Sequence, residues 1–145
     1  MNIELYPWKV AQSISLPIRI EVFVHEQGVP LDIEQDVDDI SALHAILFKD
    51  GIAIGTGRLF QEDSESTTYM IGRVCILKSY RQQGGGLRIM KSLIKEAQHL
   101  GARKCQIHAQ VSSQSFYERL GFISTSEIFM EAGIEHVMMH LTMPQ

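Results

Sequence analysis

The spacing of apolar and polar positions changes period several times along the chain, and each change marks an element. Residues 3–6 alternate as a short strand that Pro7 closes. Ile14, Ile18 and Val22 recur at helical spacing, widened by Ile20, Phe23 and Val24, and predict a helix over residues 13–24 with Pro17 in its first turn. A polar, acidic stretch runs over 25–39. Apolar runs at 41–49 and 52–60 flank Asp50-Gly51, the dipeptide that favours a two-residue hairpin turn. A further strand is predicted at 68–77.

The period then lengthens. Leu87, Met90, Leu93, Ile94, Ala97 and Leu100 fall on one face of a helix over 86–100, with Gly101 as its C-cap. A strand at 104–109 and a helix at 112–120 follow, the latter stopped by Gly121. Two strands, 123–130 and 136–143, pair around Ala132-Gly133. The order is strand, helix, three strands, helix, strand, helix, two strands. It predicts a mixed sheet with helices packed on it, an α/β layered architecture.

Composition narrows the class. The chain has 145 residues, 45% of them hydrophobic and 21% charged, which suits one domain spanning residues 1–145. No apolar run reaches the roughly 18–20 residues of a membrane span, and the start lacks the pattern of a secretory signal. Cys75 and Cys105 sit in apolar strand-like runs and are expected as buried free thiols, so a cytoplasmic location is expected. Net charge is −4, divided unevenly: −6 over residues 1–50 and +3 over 51–100. The acidic first third argues against nucleic acid as a partner. A basic middle beside an acidic flank suits a polyanionic cofactor and a cationic substrate, although solvated surface charge gives the same pattern.

The densest chemistry lies where the predicted strand 68–77 runs through Lys78, Ser79 and Tyr80 into Arg81-Gln82-Gln83-Gly84-Gly85-Gly86-Leu87 and a helix. The first N–H groups of a helix lack internal partners and carry partial positive charge. Glycines there let the backbone approach a ligand, and Arg81 adds a cation, so the segment reads as a pyrophosphate cradle. A P-loop needs Gly-Lys-Ser/Thr, whereas Gly86 precedes Leu87-Arg88; a dinucleotide fingerprint needs a third glycine where Ile89 stands. A glycine-rich turn that merely starts a helix would show the same residues.

Arg81-x-x-Gly84-x-Gly86 opening a helix resembles the acetyl-CoA signature of the GNAT superfamily. Phe116-Tyr117-Glu118-Arg119-Leu120-Gly121-Phe122 resembles a second family segment. The stretches VFVHEQGVP (22–30), DVDD (36–39), IGRV (71–74), HAQ (108–110) and GIEH (133–136) are similar to its ElaA/YjcF-like branch. The resemblance covers nearly the whole chain. It implies an acyl-CoA N-acyltransferase fold, a mixed central sheet of six to seven strands flanked by about four helices.

By that resemblance the chain is expected to be an N-acetyltransferase that uses acetyl-CoA as co-substrate and acts by direct attack in a ternary complex. Gln82, Gln83, Gly84, Gly85, Gly86 and Leu87 would hold the pyrophosphate, with Arg81 beside them. Val74 and Ile76 would offer backbone groups to the pantetheine arm, in a gap where their strand splays from the next, and a backbone N–H there would steady the developing oxyanion. Tyr117 stands at the family's general-acid position. Gln110 replaces the Asn that many members carry seven residues earlier, and is a candidate cofactor contact.

Glu26 is the candidate general base, with His25, His44 and His108 as further candidates. Arg58 and Arg73 point either to an anionic part on the acceptor or to salt bridges with the acids of 36–39. The expected partner is a small-molecule or peptide amine, and a homodimer is the assembly such folds suggest. No metal is expected: His136 and His140 lie on a predicted strand, where i and i+4 are roughly 13 Å apart. The alternatives left open are a non-catalytic acyl-CoA-binding or sensory domain and an acyltransferase using another acyl donor.

Overall fold

The computed structural model describes residues 1–144. Eight strands form one sheet in the order β1-β2-β3-β4-β5-β8-β6, with β7 also paired to β8. They are β1 (Asn2–Pro7), β2 (Leu43–Lys49), β3 (Ile52–Gln61), β4 (Thr68–Ile76), β5 (Lys104–Gln110), β6 (Ile123–Ser124), β7 (Phe129–Glu131) and β8 (Ile134–Thr142). The strand expected at 123–130 is interrupted, and both pieces, β6 and β7, pair with β8. Counted as one interrupted strand, they bring the sheet to seven, the upper end of the expected six to seven. Asp50 and Gly51 at the β2–β3 turn take φ of +51° and +78°, the left-handed pair that a type I′ hairpin requires.

Strand alternation assigns the two faces. Ala45, Leu47, Leu59, Ile71, Cys105, Ile107 and Ala109 join Ile89, Met90, Leu93 and Ala97 of helix α4 (Gly85–His99) in the main core. Gly57 of β3 is small because α4 lies close: a Cβ there would meet Ile89 Cγ2 at 2.8 Å and Leu93 Cδ1 at 3.1 Å. On the other face, helix α1 (Trp8–Arg19) places Ile18 against a smaller cluster with Val22 and Cys75.

Helix α1 begins at Trp8, five residues before the expected start, so Pro17 lies in its interior rather than its first turn. Proline cannot donate the backbone bond to the turn before it. Three residues later the winding loosens into a π-helical segment, Ile20–Glu26, and Gln27 N–H donates to Val22 O (3.1 Å), five residues back. The acidic stretch is not plain loop: it holds the single-turn helices α2 (Leu31–Glu34) and α3 (Asp38–Ser41). Helix α5 (Gln114–Arg119) is preceded by a 3₁₀ turn.

Candidate active site

Strands β4 and β5 are the one parallel pair among the described residues, and they part early. Their pairing ends at Ile71 opposite Ile107, although β4 continues to Ile76 and β5 to Gln110. The cause is a bulge. Arg73 takes φ +53°, and the β3–β4 register jumps from Thr56 opposite Cys75 to Arg58 opposite Gly72. Beyond the bulge β4 bends away, leaving a gap.

The walls of that gap carry backbone groups that no strand partner takes. Leu77 N–H donates to Ile54 O at 2.8 Å, so Leu77 and Cys75 address β3. By strand alternation the N–H and C=O of Val74 and Ile76 then face the gap. Where β4 ends, Gln82 and Gly84 both take left-handed φ (+64° and +83°), and α4 starts at Gly85. The first helical bond runs from Arg88 N–H to Gly84 O. Among the described residues, no acceptor meets the N–H groups of Gln82, Gln83, Gly84, Gly85, Gly86 or Leu87. Such a nest of converging donors at a helix N-terminus fits a phosphate group.

Cations and amides ring the nest. Arg81 Nε donates to Ile76 O (2.9 Å), and its two terminal nitrogens reach Glu26 Oε2 and Oε1 at 2.9 and 2.7 Å. Those hydrogen bonds hold the Glu26 carboxyl below its ordinary range. Glu26, expected as general base, is thus tied through both oxygens to Arg81, expected as cofactor ligand. Gln110 Nε2 donates to Gln27 Oε1 (2.8 Å), so Glu26 at the end of the π-helical segment and Gln27 just after it are tied to both rims of the gap. Lys49 donates to Gln83 Oε1 and lies 5.9 Å from the Tyr80 ring centroid. Its place at the loop had no signal in the sequence, because the contact spans 34 residues.

Tyr117 of α5 packs edge-on against Phe116 and Phe122, with ring centroids 5.1 and 6.0 Å away. Burial, with the Cys75 thiol adding to it, pushes its phenol up to about 12, so it stays protonated. None of the described residues hydrogen-bonds its hydroxyl. Both cysteines are free and buried, and burial pushes the Cys75 thiol far up, which removes it as a nucleophile.

Arg58 is buried and committed within the fold. Its guanidinium bonds Asp36 Oδ1 (2.6 Å) and Asp39 Oδ1 (2.8 Å), and Arg19 bonds Asp39 (2.8 Å) and Glu34 Oε2 (2.8 Å). Arg73 caps the cluster through Glu34 O (2.9 Å) and Asp36 Oδ2 (3.2 Å). Three cations meet three anions, and Glu34 and Asp39 are almost fully buried. The salt-bridge alternative is therefore the one realised. His44, another candidate base, is buried beneath Trp8 with Nε2 at Asp39 O (2.9 Å), whereas His25 is exposed beside Glu21.

Comparison with known proteins supports the same reading. Residues 10–143 match the family model described as an acetyltransferase (GNAT) domain. The uncharacterized N-acetyltransferase YjcF of Bacillus subtilis is 37% identical over 123 residues, covering 84% of this chain and 86% of its own. The crystal structure of Escherichia coli ElaA superposes with a TM-score of 0.86 at 26% identity, over 96% of this chain and 97% of that one. YncA of Salmonella typhimurium, solved with its cofactor acetyl-CoA, shares the fold at a TM-score of 0.76 and 17% identity, over 100% and 95% of the two chains.

Proposed function

The chain belongs to the GNAT acetyltransferase family, and from that premise we propose that it transfers an acetyl group from acetyl-CoA to a primary amine, small-molecule or peptide, by direct attack in a ternary complex. The observation that carries the reading is the run of unpartnered N–H groups from Gln82 to Leu87 at the open end of β4. Acetyl-CoA, which the related fold of YncA carries, supplies the acyl group as a reactive thioester. The nest would bind its pyrophosphate, with Arg81 and Lys49 balancing charge. The backbone of Val74 and Ile76 and the Gln110 amide would hold the arm, and an N–H of Val74 or Ile76 would meet the thioester oxygen. Glu26 serves to orient Arg81.

Tyr117 faces the departing sulfur. With the phenol at about 12 and a thiol near ~8.5, complete transfer of the phenolic proton is uphill by about 5 kcal/mol. Tyr117 therefore acts first as a hydrogen-bond donor, and its proton crosses only as one from the amine replaces it. Tyr117→Phe is the test, read by thiol release from acetyl-CoA with n-butylamine as acceptor. The expected fall in kcat is about 10²-fold, with acetyl-CoA affinity within two-fold of wild type. An unchanged kcat would remove Tyr117 from the reaction, and binding of acetyl-CoA without turnover would contradict an enzyme.

A further inference from the structure

His108 is the first residue of β5 beyond the last pair with β4, so it stands at the edge of the gap. Alternation buries Cys105, Ile107 and Ala109 in the α4-side core, where Tyr117 also packs. Gln106, His108 and Gln110 project from the opposite face, and Gln110 reaches Gln27, just after the π-helical segment. His108 and Tyr117 therefore flank the gap from opposite faces of the sheet.

The His108 ring is oriented. Nδ1 lies 2.8 Å from Glu131 Oε1, and the Phe129 ring meets it edge-on at 5.4 Å. The other Glu131 oxygen is 3.7 Å from His136 Nε2, and His136 stacks on Phe129 at 5.9 Å. A carboxylate at Nδ1 fixes the proton there and leaves the Nε2 lone pair basic. Glu131 stays ionised, held low by the hydrogen bond from His108 and further by the charges of His136 and Arg73. The side chains of His108 and Glu131 are 36% and 44% exposed, open to a solute.

We propose that His108 is the general base of the acetyl transfer, that Glu131 is its positioning residue, and that the acceptor is a primary ammonium drawn to Glu131 beside the Phe129 ring. The inference rests on the acetyltransferase reading. The ammonium gives one proton to His108 Nε2, which passes it to solvent. The nitrogen lone pair then forms the C–N bond as the C–S bond of the thioester breaks. The sulfur takes the Tyr117 proton, and the second proton of the nitrogen restores Tyr117, so one proton is released per turnover. The groups facing His108 are Glu131 and Phe129 of β7 and His136 of β8, with Gln106 and Gln110 beside it on β5 and Arg73 of β4 acting through Glu131.

The test uses His108→Gln and Glu131→Gln in the full chain, with n-butylamine as probe, acetyl-CoA calorimetry, and NMR titration of ring-labelled histidine. His108→Gln is expected to lower kcat/KM at neutral pH by about 10²-fold or more, to abolish the imidazole limb of the pH profile, and to leave acetyl-CoA affinity unchanged. Glu131→Gln leaves the ring without the carboxylate that orients it, so kcat should fall about 10-fold with acetyl-CoA affinity unchanged, and Glu131→Asp should recover part of the loss. A purely structural Glu131 would not give that rescue at constant cofactor affinity. A His108→Gln enzyme with wild-type rate overturns the proposal, as does a Glu131→Gln enzyme with wild-type kcat. So does a wild type that binds acetyl-CoA but neither turns over n-butylamine nor shifts the His108 resonance. Failure of the wild type to bind acetyl-CoA would instead sink the underlying acetyltransferase reading.

Discussion

Asp39 shows how much one side chain of the acidic stretch carries. Burial alone would raise its carboxyl, but the hydrogen bonds and charges of Arg19, then Arg58, outweigh burial and hold it at about 2. Its ordinary value is 3.8, and each unit is worth about 1.4 kcal/mol. The depressed value adds on the order of 2 kcal/mol, fully present above pH 4 and lost as the pH falls toward 2. Asp39→Asn should cost about 3–5 kcal/mol in urea unfolding at pH 7, because Arg19 and Arg58 lose a buried partner. It should also flatten the acid limb of stability below pH 4. A wild-type-like urea midpoint would show that the cluster does not depend on Asp39. Sequence offered the pairing of Arg58 and Arg73 with the acids of 36–39 as one of two alternatives, but gave no sign that Arg19 and Glu34 join it or that Glu34 and Asp39 are buried. Their partners lie 15 to 20 residues away and meet them only through the fold.

At the scale of elements, local chemistry was readable where it decides the structure locally. The Asp50-Gly51 turn and the α4 stripe stand within a residue of their expected places, because left-handed φ and helical period are properties of neighbours. The start of α1 was not, since Pro17 suggests a first turn and nothing local reveals a long helix that tolerates it. The four-residue helices α2 and α3 are too short to show a period. The position of α4 also depends on what β3 lacks. Gly57→Ala sets a methyl 2.8 Å from Ile89 Cγ2, so Ile89 must yield, by its rotamer or by carrying α4 outward. A stability loss of about 1–3 kcal/mol is expected, with acetyl-CoA affinity falling because the helix carries the nest. A variant as stable and as tight as wild type would show that α4 has room to spare.

Over the whole molecule, the charge asymmetry changes meaning once it is folded. Three acids of the first third, Glu34, Asp36 and Asp39, are spent on Arg19, Arg58 and Arg73, so they offer little field to an incoming cation. Two carboxylates do stand at the gap: Glu26, tied to Arg81, and Glu131, tied to His108. The site itself was half legible. The glycine loop and Tyr117 belong to contiguous motifs, whereas Lys49 and Glu131 arrive from other strands and carry no local mark. None of the described helices is long and apolar enough to cross a membrane.

The central claim, that the chain holds acetyl-CoA through the nest at the start of α4, is tested most directly by calorimetric titration beside Gly86→Glu. Gly86 has room for a side chain, since a Cβ there meets nothing closer than Phe116 Cζ at 3.6 Å. A glutamate in the first helical turn favours the helix while placing its carboxylate where the phosphates would sit. The account predicts one-site binding by the wild type and at least about 10²-fold weaker binding by the variant, roughly 2.7 kcal/mol, at equal or higher Tm. Equal affinity in the two proteins, or no binding by either, would contradict it.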